Sequence, residues 1–180
     1  MKTIWAPWRI SYLTQSTEGA VKLKSKQAHK KTNAKKIREM SAPCPFCDAA
    51  QMPVSSETLV LKKGRLAYVI MNKYPYANGH LMVIPLRHIA SFEDLTPAEH
   101  KEIGDLISRS VQVLKKYGLC DGFNIGMNLG QAAGAGILGH IHYHVVPRWQ
   151  GDHNFMPVLA DVRVVPEHML ATYEKLKKIF

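Results

Sequence analysis

The chain has 180 residues, 46% of them hydrophobic, with a formal charge of +10 and three cysteines. That length supports one domain with a sizeable core; no apolar run approaches the ~18–20 residues of a membrane span, and the N-terminus lacks the apolar stretch of a signal peptide, so a cytoplasmic location without membrane association is expected. Three cysteines do not make an extracellular disulfide framework, and the charge is local: eight Lys or Arg residues and no acid fall between Val21 and Arg38, leaving +2 elsewhere.

In chain order, Ile4 to Tyr12 is rich in aromatics and reads as an arm that packs on the domain or on a partner. The basic segment that follows has no apolar stripe and reads as loop or frayed helix. It has no interleaved aromatic to stack on bases, which argues against nucleic acid as a partner. Cys44-Pro45-Phe46-Cys47 has the spacing of a zinc knuckle. Two further ligands would come from His80, His88, His100 or His140, and an inert or redox-responsive cysteine pair is an equal reading. Thr58–Leu61 and Leu66–Met71 predict a hairpin, and the apolar run His80–Pro85 predicts a central strand buried on both faces. Thr96-Pro97-Ala98-Glu99 announces a capped helix, with Ile103, Leu106, Ile107, Ser110, Val111, Leu114 and Tyr117 on its packing face and Gly118 at its end. A strand over Phe123–Met127 is expected to pair antiparallel with the strand that follows the glycine-rich loop 128–136. After Asn154–Val158, a short strand or loop, a helix is expected from Pro166, with Met169, Leu170, Tyr173, Leu176 and Ile179 or Phe180 on its apolar side.

The chemistry concentrates in Gly139-His140-Ile141-His142-Tyr143-His144-Val145-Val146-Pro147. In an extended strand, alternation puts all three imidazoles on one face and Ile141, Tyr143 and Val145 in the core. No serine nucleophile elbow, Walker motif or dinucleotide fingerprint is present. A neutral imidazole is a nucleophile that forms a labile bond to phosphorus, so the middle histidine, His142, suits attack on a phosphoryl group. The flanking imidazoles and the amides of the Gly134-Ala135-Gly136 loop would stabilise charge on the phosphate oxygens.

His140-Ile141-His142-Tyr143-His144-Val145-Val146 resembles the signature of the histidine triad (HIT) superfamily of nucleotide hydrolases and transferases. Pro75, Gly79-His80 and Pro85-Leu86-Arg87 extend the likeness, and Trp5–Arg9 with Gly151–Phe155 resembles the diadenosine tetraphosphate phosphorylase- or hydrolase-like branch. The resemblance implies an α+β HIT-like fold, an antiparallel sheet with one long packed helix and a C-terminal helix. It implies an arm over residues 1–43, a catalytic domain over 44–150 and a C-terminal extension over 151–180, in a homodimer. It further implies cleavage of a dinucleoside polyphosphate at an α-phosphate, with His142 as nucleophile, His144 on phosphate oxygens, Asn128 on phosphate or the leaving-group oxygen, Asn72 at the ribose, and a structural zinc held by Cys44, Cys47, His88 and His140; no organic cofactor is expected. Where phosphoramidate-cleaving members carry serine or threonine, three residues before the first triad histidine, this chain has Ile137. His144 stands where sugar-nucleotide transferases and some phosphorylases of the wider superfamily carry glutamine, which argues against uridylyl transfer. The alternatives are a purine nucleoside phosphoramidase and a non-catalytic nucleotide-binding adaptor that uses the basic arm from Lys22 to Arg38.

Overall fold

The structure, a computed structural model, describes residues 44–118, 120–152 and 167–180. The aromatic arm, the basic segment and the 154–158 strand or loop lie outside them. Helix α1 (Pro45–Gln51) precedes strands β1 (Val60–Lys63), β2 (Ala67–Met71) and β3 (Leu81–Pro85), followed by helix α2 (Pro97–Gly118), strands β4 (Gly122–Gly126) and β5 (Tyr143–Arg148), and helix α3 (Met169–Lys177). The five strands form one antiparallel sheet in the order β1-β2-β3-β5-β4, so this is an α+β fold with β3 in the middle. Every residue of β2 and β3 is buried, as their uninterrupted apolar sequences require of strands covered on both faces.

Helix α2 packs on β2, β3 and β5, and α3 packs on α2 and β1. The start of α2 is a reciprocal cap: Glu99 Oε2 accepts from the Thr96 amide at 2.8 Å, and the Glu99 amide donates to Thr96 Oγ1 at 3.3 Å. Arg87 donates through Nε and Nη2 to the same buried carboxylate. That pairing, reinforced by Thr96, holds Glu99 at about 2, well below the ordinary carboxylate range. The segment that carries His88 is thereby tied to the helix. Gly79, in the left-handed region at φ 74°, turns the chain into β3 where an added Cβ would come within 3.1 Å of Leu114 Cδ2.

Three details depart from the sequence expectations. The triad strand begins at Tyr143, so His140 and His142 precede it rather than share its pleat. Pro85 has no N–H to continue the β3–β5 ladder beyond Val83–Tyr143, and the Ile141 amide donates instead to Ile89 O at 2.8 Å. On α2, Val113 is fully buried beside the expected Ile103 and Leu114. On α3 the inward face is Thr172, Tyr173 and Leu176, which leaves Leu170 off that face and exposed; Tyr173 anchors the helix by donating to Val60 O at 2.9 Å.

Leu114 is 1% exposed at the contact between α2 and the Gly79 turn. Leu114→Ala is expected to destabilise the domain by about 2–5 kcal/mol through lost burial and a cavity, measured as a lower urea midpoint with an unchanged m-value.

Candidate active site and metal centre

Two clusters meet at the entry to β5. In the first, one ligand atom from each of Cys44, Cys47, His88 and His140 lies within 4.8 Å of every other. Cys44 Sγ stands 3.4 Å from His140 Nδ1, and Cys47 Sγ stands 3.3 Å from His88 Nδ1 and 3.6 Å from His140 Nδ1. His140 is fully buried, and its Nε2–H donates to Pro85 O at 2.9 Å, which leaves the Nδ1 lone pair aimed at the sulfurs. Burial and the neighbouring Cys44 push the Cys47 thiol up to about 11, and a cation bound at its sulfur would favour the thiolate. Two sulfurs and two imidazole nitrogens at this spacing suit a tetrahedral cation. Of the other histidines weighed as ligands, His100 stacks edge-on against Phe92 at 5.0 Å and His80 is engaged elsewhere.

The second cluster holds His142, His144 and His80. His142 Nδ1–H donates to His140 O at 3.0 Å, so the lone pair of the neutral ring is on Nε2. His144 takes the opposite tautomer. Tyr76 N–H donates to His80 Nδ1 at 3.1 Å, with the Asn72 amide nitrogen 3.3 Å from the same atom. With Nδ1 accepting, His80 carries its proton on Nε2 and donates to His144 Nδ1 at 2.9 Å. His144 therefore carries its proton on Nε2, a buried atom without a hydrogen-bond partner among the described residues. Burial pushes both rings down, His144 to about 4 with His142 adding to the effect, so both are neutral near pH 7. The two rings lie 4.9 Å apart, centroid to centroid. A lone pair beside an unsatisfied N–H in a low-dielectric setting can attack an electrophilic centre and stabilise the charge that develops there.

The HIT domain family model matches residues 54–151. The chain belongs to the HIT family. AP-4-A phosphorylase of Mycobacterium tuberculosis is 36% identical over 167 residues, 93% of this chain and 78% of that protein. The asymmetrical bis(5'-nucleosyl)-tetraphosphatase of Schizosaccharomyces pombe is 32% identical over 103 residues, 57% of this chain and 55% of that one. Among solved structures, a zinc-bound histidine triad family protein from Mycobacterium smegmatis matches with a TM-score of 0.60 at 29% identity, covering 78% of this chain and 93% of that one.

The remaining sequence-predicted residues of this HIT fold are Asn72, Asn128, Gly134 and Gly136. Asn72 is turned into its own loop, its Oδ1 accepting from the Tyr74 amide at 2.9 Å while its amide nitrogen faces His80. Asn128 lies two residues past Gly126, the residue of β4 that pairs with His144. Gly134 sits in the left-handed region at φ 83°, and an added Cβ at Gly134 or Gly136 would meet nothing within 4 Å, so this stretch of loop is open. Two participants were not singled out from sequence. His80 appeared only as a metal-ligand candidate and as part of the family likeness, although a histidine opening a wholly apolar strand had to find a buried partner. Phe46, between the cysteines, packs its ring 4.9 Å from His142 and 5.7 Å from His140.

A histidine held at about 4 when folded and near the usual value of ~6.5 when unfolded takes up its proton first in the unfolded chain. Stability is therefore expected to fall as pH drops from about 6.5 to about 4 and to show no further loss from this group below that. Urea denaturation across the range checks this, and His144→Asn should flatten the slope.

Proposed function

We propose that the chain is an enzyme that cleaves dinucleoside polyphosphates, diadenosine tetraphosphate among them, at an α-phosphate through a nucleotidyl-histidine intermediate. The observation that carries this reading is the opposed polarity of two adjacent imidazoles: a lone pair on His142 Nε2 beside an unsatisfied N–H on His144 Nε2. The substrate class is supported by the 36% identity with an AP-4-A phosphorylase over 93% of the chain.

In the first step His142 Nε2 attacks the α-phosphorus. An N–P bond forms, the bond from phosphorus to the bridging oxygen breaks, and the leaving nucleoside polyphosphate carries away the electron pair. His140 O, accepting from His142 Nδ1–H, steadies the positive charge that grows on the ring. His144 Nε2–H donates to a phosphate oxygen, and Asn128 with the Gly134 and Gly136 amides takes part in the same charge stabilisation. Asn72 meets the ribose once it exchanges a loop contact for the substrate. In the second step an oxygen of water or of inorganic phosphate attacks phosphorus and frees His142.

The cation of the first cluster is zinc in this proposal, held by Cys44, Cys47, His88 and His140 in a structural role, as the donor set favours. No organic cofactor enters the scheme. Assembly as a homodimer is supported by β4, an edge strand among the described residues that leaves Ile125 exposed. No helix among the described residues is long and apolar enough to cross a membrane. A cytoplasmic location is supported by Cys44, Cys47 and Cys120 all being unbridged.

His142→Ala is expected to lower turnover of diadenosine tetraphosphate by at least roughly 1,000-fold with an unchanged circular dichroism spectrum; undiminished turnover would sink the mechanism. Product analysis identifies the acceptor, since water yields AMP and ATP whereas phosphate yields ADP and ATP. Elemental analysis of purified protein should find about one zinc per chain and markedly less in Cys44→Ser; equal content in the two would reject the ligand set.

A further inference from the structure

We propose that Phe46, one of the two residues between Cys44 and Cys47 in the cysteine turn, is a positioning residue for the His142 ring, so that the turn serves the nucleophile as well as the metal. The inference rests on the reading of His142 as nucleophile.

His142 precedes β5 and is outside the paired residues of the sheet, so the ladder does not hold its backbone in place. One hydrogen bond, from Nδ1–H to His140 O, fixes one edge of its ring. A single contact of that kind leaves rotation about the Cα–Cβ bond to be limited by packing. Two rings supply that packing: His144 at 4.9 Å with planes 77° apart, and Phe46 at 4.9 Å with planes 56° apart. His144 is committed through Nδ1 to His80, which leaves Phe46 as the one apolar ring recorded against His142 among the described residues.

Phe46 is itself well anchored. It is 7% exposed, sits in the first turn of α1, and its carbonyl accepts from Tyr68 OH, on β2, at 2.7 Å. Its ring also stands edge-on to His140, planes 88° apart, so it spans the metal ligand and the nucleophile at once. The order Cys44-Pro45-Phe46-Cys47 thus turns two side chains toward a cation and a third toward the reacting imidazole. Any group that locks the sulfurs to His140 also fixes the wall behind His142.

The test compares Phe46→Ala and Phe46→Leu with wild type, each purified with its metal, against diadenosine tetraphosphate. The expected result is a kcat lowered by roughly 10- to 100-fold in Phe46→Ala with KM changed by less than about 2-fold, and substantial recovery in Phe46→Leu, which restores bulk. A second readout is independent of turnover: nitrogen-15 spectra of the histidine side chains should show His142 as the single Nδ1–H tautomer in wild type and as a tautomer mixture in Phe46→Ala. A wild-type kcat in a folded, metal-loaded Phe46→Ala overturns the inference, as does an unchanged tautomer signature. If Phe46→Ala does not fold, Phe46→Leu and Phe46→Val carry the comparison, and a kcat equal to wild type in both overturns it. His142→Ala separates the two levels. Activity surviving in that variant defeats the nucleophile assignment itself, whereas its loss alongside a fully active Phe46→Ala defeats only the role given to Phe46.

Discussion

His140 is the constraint on which the site depends. It is fully buried, so each of its polar groups needs a partner, and each partner lies in a different part of the fold. Its Nε2–H is taken by Pro85 at the end of β3, its Nδ1 faces the sulfurs at the start of α1, and its peptide oxygen accepts from His142. One residue thereby joins the central strand, the cysteine turn and His142, and the tautomer of His142 follows from the last of these bonds.

A second hydrogen-bond chain reaches the site with the opposite polarity. It starts at the Tyr76 amide, passes through His80 and ends on the unsatisfied Nε2–H of His144. Main-chain groups set both ends: a carbonyl orients His142, and an amide orients His144. This explains why two chemically identical side chains in one motif can take different parts. A carbonyl behind an imidazole leaves a lone pair in front, whereas an amide behind a pair of imidazoles leaves an N–H in front.

Much of this was legible in the chain, and the limits have physical causes. The capping box at Thr96–Glu99 is a local signal and appeared as read, and the uninterrupted apolar run to Pro85 correctly indicated the middle of the sheet. The alternation of His140, His142 and His144 suggested one strand face, but periodicity carries no information about where a ladder stops, and Pro85 across the sheet ends it. The cysteine spacing left the partners of Cys44 and Cys47 open, because they lie 41 to 96 residues away and only the fold brings them together. His80 and Phe46 were harder still. Phe46 looks like core filling along the chain and His80 like a metal-ligand candidate, and each acquires its significance from a neighbour distant in sequence, 64 residues away for His80.

The depression of the triad pKa values fits the chemistry better than a cationic site would. Desolvation favours the neutral ring at His140, His142 and His144 alike. A buried lysine or arginine beside His142 would stabilise a phosphate oxygen more strongly in isolation, yet it would carry a desolvation penalty of several kcal/mol while the site is empty. A fixed N–H dipole, directed through His80, avoids most of that penalty and is already oriented when charge develops on the transferring group. The same desolvation disfavours protonation of these histidines in the folded state. Neutrality and direction are thus two consequences of burying the same imidazoles.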